Sequence, residues 1–222
     1  MSPTSDTDPP RTRARQMLSR LSRELERGPT AVGLEPGLRR WVLGMAEAAL
    51  MFRAGRLDDA HDHRLLHPAR TLIVLLEVGG ARPDILATAP LLDSRFPDLI
   101  PPWEVWSEGL EGNASRIVEI SKEIPRPGWR SEGPDDALLL EALVTLSSEE
   151  LRLALCEMLD QLRHLHVEPD HPALARGVEL ARQIYTPLAV RLAKSSDGGP
   201  GAALLARRFN RWQERLARVV GK

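Results

Sequence analysis

Three histidines, His61, His63 and His67, fall within one short stretch, and two carboxylates, Asp93 and Glu157, stand on runs that are otherwise apolar. Imidazole and carboxylate are ordinary ligands of divalent ions, and His63 and His67, four residues apart, would share one face of a helix. The stretch 57–66 that carries His61 and His63 is polar and reads as a loop, which denies that pair a regular scaffold. Asp93 and Glu157 set a sharper constraint. A carboxylate taken out of water is costly unless a metal ion, a guanidinium or a proton neutralises it. Arg70 and Arg163 are the candidate guanidinium partners. Cys156, beside Glu157, is the single cysteine. In an apolar helical run it reads as a small core residue rather than a nucleophile, and alone it excludes an intramolecular disulfide framework and fits a reducing compartment.

The elements that must position these groups read as helices. Hydrophobic residues make up 42% of the 222 and aromatics only 4%, so the core is built from Leu, Val, Ile and Ala rather than the mixture that fills a β-sandwich. Residues 1–12 are rich in Ser, Thr, Asp and Pro and read as a disordered tail. Leu18, Leu21 and Leu25 mark an amphipathic helix over 13–27, ended by Gly28 and Pro29. A second helix, 36–56, should turn Trp41, Met45, Ala48, Ala49 and Phe52 inward. Helices follow over 68–78, stopped by Gly79 and Gly80, and over 84–92; the prolines of 96–102 then force a turn. Further helices are expected at 103–110, 113–124, 135–146, from Ser147 to about 167, and 172–194. Ser147 and Glu150 have the spacing of a capping box. The Gly-rich stretch 195–201 reads as a flexible linker to a last helix, 202–220. That helix carries Arg207, Arg208, Arg211, Arg215 and Arg218 on one face and Leu204, Leu205, Phe209, Trp212, Leu216 and Val219 on the other. No period-two alternation or internal repeat stands out, and the class is all-α.

Lys plus Arg (30) nearly cancels Asp plus Glu (31), so the overall charge gives no reason to expect nucleic acid or an anionic membrane as partner. The first ten residues lack the apolar core of a secretory signal, and no stretch approaches the ~18 apolar residues of a bilayer span. The expectation is a soluble, cytoplasmic protein. The Arg-rich last helix reads as docked on the domain with its arginines outward; the functional alternative is a partner or homodimer helix on a tether.

Five segments in order resemble the hydrolase (HD) domain of the RelA/SpoT family, which removes the 3'-pyrophosphate of the guanosine alarmone (p)ppGpp with one bound metal ion. They are His67-Pro68 opening an apolar helix that ends at Gly79; the apolar run 84–93 closing on Leu92-Asp93; Ile117 to Lys122; the helix 155–165; and 184–192, Ile-Tyr-Thr-Pro-Leu-Ala-Val-Arg-Leu. Together they span about 41–194. The resemblance implies an HD-type helical bundle over 13–194, with the helix 202–222 as an addition.

It also implies a metal site of His67, Asp93 and Glu157, with Mn2+ as the ion if the site works. Leu92 stands where the family has a second histidine, and Glu157 replaces an aspartate. The family's acidic pair beyond its His-Asp falls on Phe96-Pro97, with Asp98 the nearest substitute. Arg56, Arg64, Gln161 and Arg163 occupy the positions that contact the nucleotide, Gln161 in place of an asparagine. Metal hydrolysis needs several ligands converging on one ion, so these losses point to a catalytically impaired domain that binds a guanosine nucleotide such as (p)ppGpp, or a protein. The alternatives are an active metal-dependent (p)ppGpp pyrophosphohydrolase and a purely structural or oligomerisation module.

Overall fold

The computed structural model describes residues 9–27, 35–57, 62–79, 81–106, 113–129, 136–167, 172–199 and 201–220, and among them every regular element is helical. In chain order they are α1 (Pro9–Arg27), α2 (Pro36–Ala54), α3 (Asp62–Leu65), α4 (His67–Val78), α5 (Pro83–Thr88), α6 (Trp103–Trp106), α7 (Asn113–Glu123), α8 (Asp136–Thr145), α9 (Ser148–His164), α10 (Pro172–Leu180), α11 (Thr186–Lys194) and α12 (Ala202–Val220). The all-α class is the one the helical spacing demands. His61 and the second half of the helix expected at 103–110 lie outside the described residues.

The centre is α4 packed on α9. α4 leaves only Arg70 and Glu77 outside the buried set, and α9 buries every residue from Glu150 to Leu162. Helices covered on all sides in this way form the core of a bundle, with the other helices as their jacket. α9 starts at the expected capping box: the Ser147 hydroxyl accepts the Glu150 N–H at 3.3 Å, and the Glu150 carboxylate accepts the Ser147 N–H at 3.0 Å. α5 and a 3-10 turn, Ala89–Leu91, bury Ile85, Leu86, Leu91 and Leu92 and deliver Asp93 to the centre.

Several expectations need correction. α1 begins at Pro9, so part of the expected tail is helical, and it packs Ala14, Leu21 and Leu25 toward α2. In α2 the buried stripe is Val42, Met45, Ala46, Ala49, Leu50, Arg53 and Ala54; Trp41, Ala48 and Phe52 sit at its margin. The stripe is rotated by about one position, and an arginine completes it. Within the expected loop 57–66, Asp62–Leu65 forms a helical turn.

The helix expected at 172–194 changes pitch at a π turn, Ala181–Tyr185, just before Pro187. Proline has no N–H for the carbonyl one turn back and its ring crowds that carbonyl, and the wider turn accommodates both. The expected linker 195–201 is a packed corner at the residues described. A Cβ on Gly201 would lie 1.7 Å from the Val78 carbonyl oxygen, so only glycine lets the two backbones meet there. Arg152 of α9, buried, ties this corner down by donating to the carbonyls of Gly79 (2.9 Å) and Gly198 (2.8 Å).

The corner turns α12 back along α11, where Leu205, Phe209 and Leu216 are buried and the Tyr185 and Phe209 rings stack at 6.5 Å. Arg207, Arg211, Arg215 and Arg218 face outward, and Arg208 pairs with Glu77 of α4. Of the expected apolar face, Leu204 and Trp212 are half-buried and Val219 is exposed. No helix among the described residues is long and apolar enough to cross a membrane.

Candidate metal centre

His67 is the first residue of α4, and Pro68 behind it suits a first turn whose N–H groups have no helical partner. Its Nδ1 lies 2.8 Å from Asp160 Oδ2. Arg70, one turn further on, holds the same carboxylate from the other side, with Nε 3.0 Å from Oδ1 and Nη2 3.1 Å from Oδ2, and donates to the His63 carbonyl. A carboxylate on Nδ1 fixes the ring so that Nε2 faces inward, which is how proteins orient a metal-binding histidine.

Asp93 enters from the turn after Leu92. Its Oδ1 accepts the backbone N–H groups of Arg95 (3.1 Å) and Phe96 (2.8 Å), an arrangement that closes the turn before Pro97. Its Oδ2 lies 2.8 Å from Arg53 Nη2, and both side chains are fully buried. Glu157 rises from α9. Its Oε1 accepts the N–H and the hydroxyl of Ser94, each at 2.9 Å, and Ser94 accepts the indole N–H of Trp129 at 3.1 Å.

His67, Asp93 and Glu157 thus converge, with one donor atom from each lying within 4.8 Å of the others. They come from segments 26 and 64 residues apart in the chain, and their meeting is a property of the fold alone. His63 belongs to no such group among the described residues.

Burial and charge shape the titration of the cluster. Burial opposes the charged imidazole of His67, but Asp93, Asp160 and Glu157 outweigh it and raise its pKa. For Asp93 burial is again the largest influence, overcome by His67 and Arg53, which lower its pKa. Asp160 is held well below the usual carboxylate range, against burial, by Arg70 and His67. Glu157 goes the other way. Burial dominates and, with Asp93 beside it, raises its pKa against the opposing pull of His67, Ser94 and Gln161.

These residues do not fit a divalent ion as they stand. The carboxamide Nε2 of Gln161 lies 2.9 Å from Asp93 Oδ1, 3.1 Å from Glu157 Oε1 and 3.3 Å from His67 Nε2, at the focus of the three donors. Of the group's two carboxylates Asp93 already faces a guanidinium, as does Asp160 behind His67. Leu92 contributes no donor. His67, Asp93, Glu157 and Gln161 are only 2%, 1%, 5% and 5% exposed, so all four are buried.

The other candidates lie around this centre. The Arg56 guanidinium stacks over Phe52 at 4.2 Å, while Arg64 and Arg95 both lie over the Phe96 ring, at 4.6 and 5.0 Å. Asp98 is exposed in the 3-10 turn Pro97–Leu99. Arg163 is half-buried and outside the cluster. The expected partnership of Arg70 and Arg163 with Asp93 and Glu157 is replaced by Arg53 with Asp93 and Arg70 with Asp160. Arg53, Asp160, Ser94 and Trp129 were not singled out from sequence. Arg53 alone carried a signal, since it falls at i+3, i+4 and i+7 from Leu50, Ala49 and Ala46, on the buried stripe. Cys156 is fully buried, and burial pushes its thiol pKa up, as a core residue requires. No family model, curated protein or solved structure matches the chain.

Proposed function

We propose that the chain is a catalytically impaired relative of the RelA/SpoT (p)ppGpp hydrolases, acting by binding rather than turnover. The observation that carries this reading is the convergence of His67, Asp93 and Glu157, the residues that the resemblance named, into one buried group. The second half of the reading rests on how that group is closed. Metal-assisted hydrolysis needs an ion with an open position for water and a phosphoryl oxygen beside it. Here Arg53 and Gln161 take the space and charge of such an ion, and Leu92 and Phe96-Pro97 replace the second histidine and the acidic pair.

What remains accessible is the rim. Arg56 and Arg64, with Arg95 beside Phe96, present guanidinium groups suited to the phosphates and base of a guanosine nucleotide. A second reading, an interaction module, is favoured by α8. That helix buries Leu139 and Leu143 but leaves Leu138, Leu140 and Val144 exposed around Glu141, and large aliphatic side chains clustered on a surface helix are ordinarily covered.

One preparation tests both. Calorimetry with (p)ppGpp, alongside a hydrolysis assay in Mn2+, should give binding without release of pyrophosphate. Turnover above blank overturns the proposal. Absence of binding, with a dimer or larger species by light scattering, transfers it to the interaction module.

A further inference from the structure

The focus of the three donors is filled by a neutral group of the protein itself. Gln161 Nε2 donates to a carboxylate oxygen of Asp93 and to one of Glu157, with the inward nitrogen of His67 3.3 Å away. With the nitrogen inward its two hydrogens meet the two carboxylates, whereas an oxygen there would set its lone pairs against carboxylate oxygens that already accept from Ser94, Arg95 and Phe96. The two N–H bonds go to the nearer carboxylates, and the imidazole nitrogen lies just beyond.

The electrostatics match. Asp93 has Arg53 and Asp160 has Arg70, so Glu157 is the carboxylate of the group that no guanidinium among the described residues pairs. A divalent ion would bring two further positive charges into a site with about one negative charge to meet them. A carboxamide brings none and still donates to two acceptors. The spacing matches as well, since hydrogen bonds of 2.9 to 3.3 Å hold the donors further out than the roughly 2.0–2.2 Å bonds of a small ion.

We infer that the Gln161 carboxamide takes the ion's place, making the native fold independent of metal and leaving a cation site latent one substitution away. This deepens the silenced-site reading and rests on the same His67–Asp93–Glu157 group. Gln161→Glu keeps the shape and replaces the donor by a carboxylate. Three carboxylates then face one point with no hydrogens between them, so the variant needs a cation or a proton where the native chain needs neither.

The test is thermal unfolding of the full chain in EDTA and in excess Mn2+. The native protein should melt at the same temperature in both. Gln161→Glu should melt lower in EDTA and recover in Mn2+ by about 5–10 °C at an ion concentration near 100 Kd. Gln161→Glu, which adds the missing negative charge at the focus, should also gain a visible Co2+ absorption that the native chain lacks. A native protein stabilised by Mn2+ overturns the inference. So does a Gln161→Glu variant that Mn2+ does not rescue, whether it is folded or not. Turnover is read separately: a native chain that binds Mn2+ yet leaves (p)ppGpp intact removes this inference and leaves the silenced-site reading standing.

Discussion

Arg53 decides what the buried centre costs. It is fully buried, its Nη2 is 2.8 Å from Asp93 Oδ2, and its Nη1 donates to the Arg64 carbonyl at 2.6 Å, so it neutralises one carboxylate and anchors the segment leading to His67. Removing one partner of a buried pair strands the other, which costs more than the pair itself contributes. Arg53→Met should therefore lower stability by about 3–5 kcal/mol, measured by urea denaturation. A loss below about 1 kcal/mol would mean that Asp93 is protonated or hydrated, in conflict with its lowered pKa. The sequence posed this problem correctly, since Asp93 and Glu157 on apolar runs required neutralisation, but it offered the wrong arginines. Arg53 lies 40 residues before its partner, near a helix end where a cation ordinarily reads as solvent-facing. Spacing within a helix tells which residues share a face. It carries no information about which distant side chain that face will meet.

At the scale of elements, what was legible was local. The capping box at Ser147 and Glu150 is complete within one turn, and the stop at Gly79 uses a left-handed residue, φ 75°, that only glycine takes without strain. The corner 195–201 was misread for the opposite reason. Gly, Ser and Pro signal a flexible tether by composition, whereas here the small residues serve close approach, which depends on the presence of Val78 and Arg152 from other helices. The two uses of glycine separate by experiment. Gly201→Ala places a methyl group into the Val78 backbone and should cost at or beyond the ~3 kcal/mol upper end of overpacking, with α12 displaced from α11. Gly44→Ala, in the middle of α2 with nothing within 4 Å of the added carbon, should instead gain about 0.5–1 kcal/mol. Equal effects in urea denaturation would remove the account of the corner.

For the whole molecule, the helical class follows from apolar spacing repeated in every segment, but the closed centre needs α2, α4, the turn at Asp93 and α9 to meet, and no single segment reveals it. That closure should govern the dependence of stability on pH. Asp93 and Asp160 have folded pKa values below their ordinary ones, so their contribution is present above about pH 4 and lost as pH falls further. His67 is raised, so its contribution is full below its ordinary value of about 6.5 and lost as pH climbs through the folded value. Glu157, raised by burial, acts in the same sense, favouring the fold where it holds its proton and opposing it as pH rises. Burial opposes the imidazole's proton; the carboxylates facing it are Asp93 from the turn and Glu157 and Asp160 from α9, and the nearby guanidinium groups of Arg53 and Arg70 are each engaged by a carboxylate. The melting temperature should therefore peak between about pH 4 and 6.5 and decline on the alkaline side. His67→Gln should flatten that decline, because the group whose proton is lost is no longer there. A native profile flat from pH 6 to 9 would show that the imidazole carries no extra proton in the fold, and that the polar centre is held by Arg53, Arg70 and Gln161 alone.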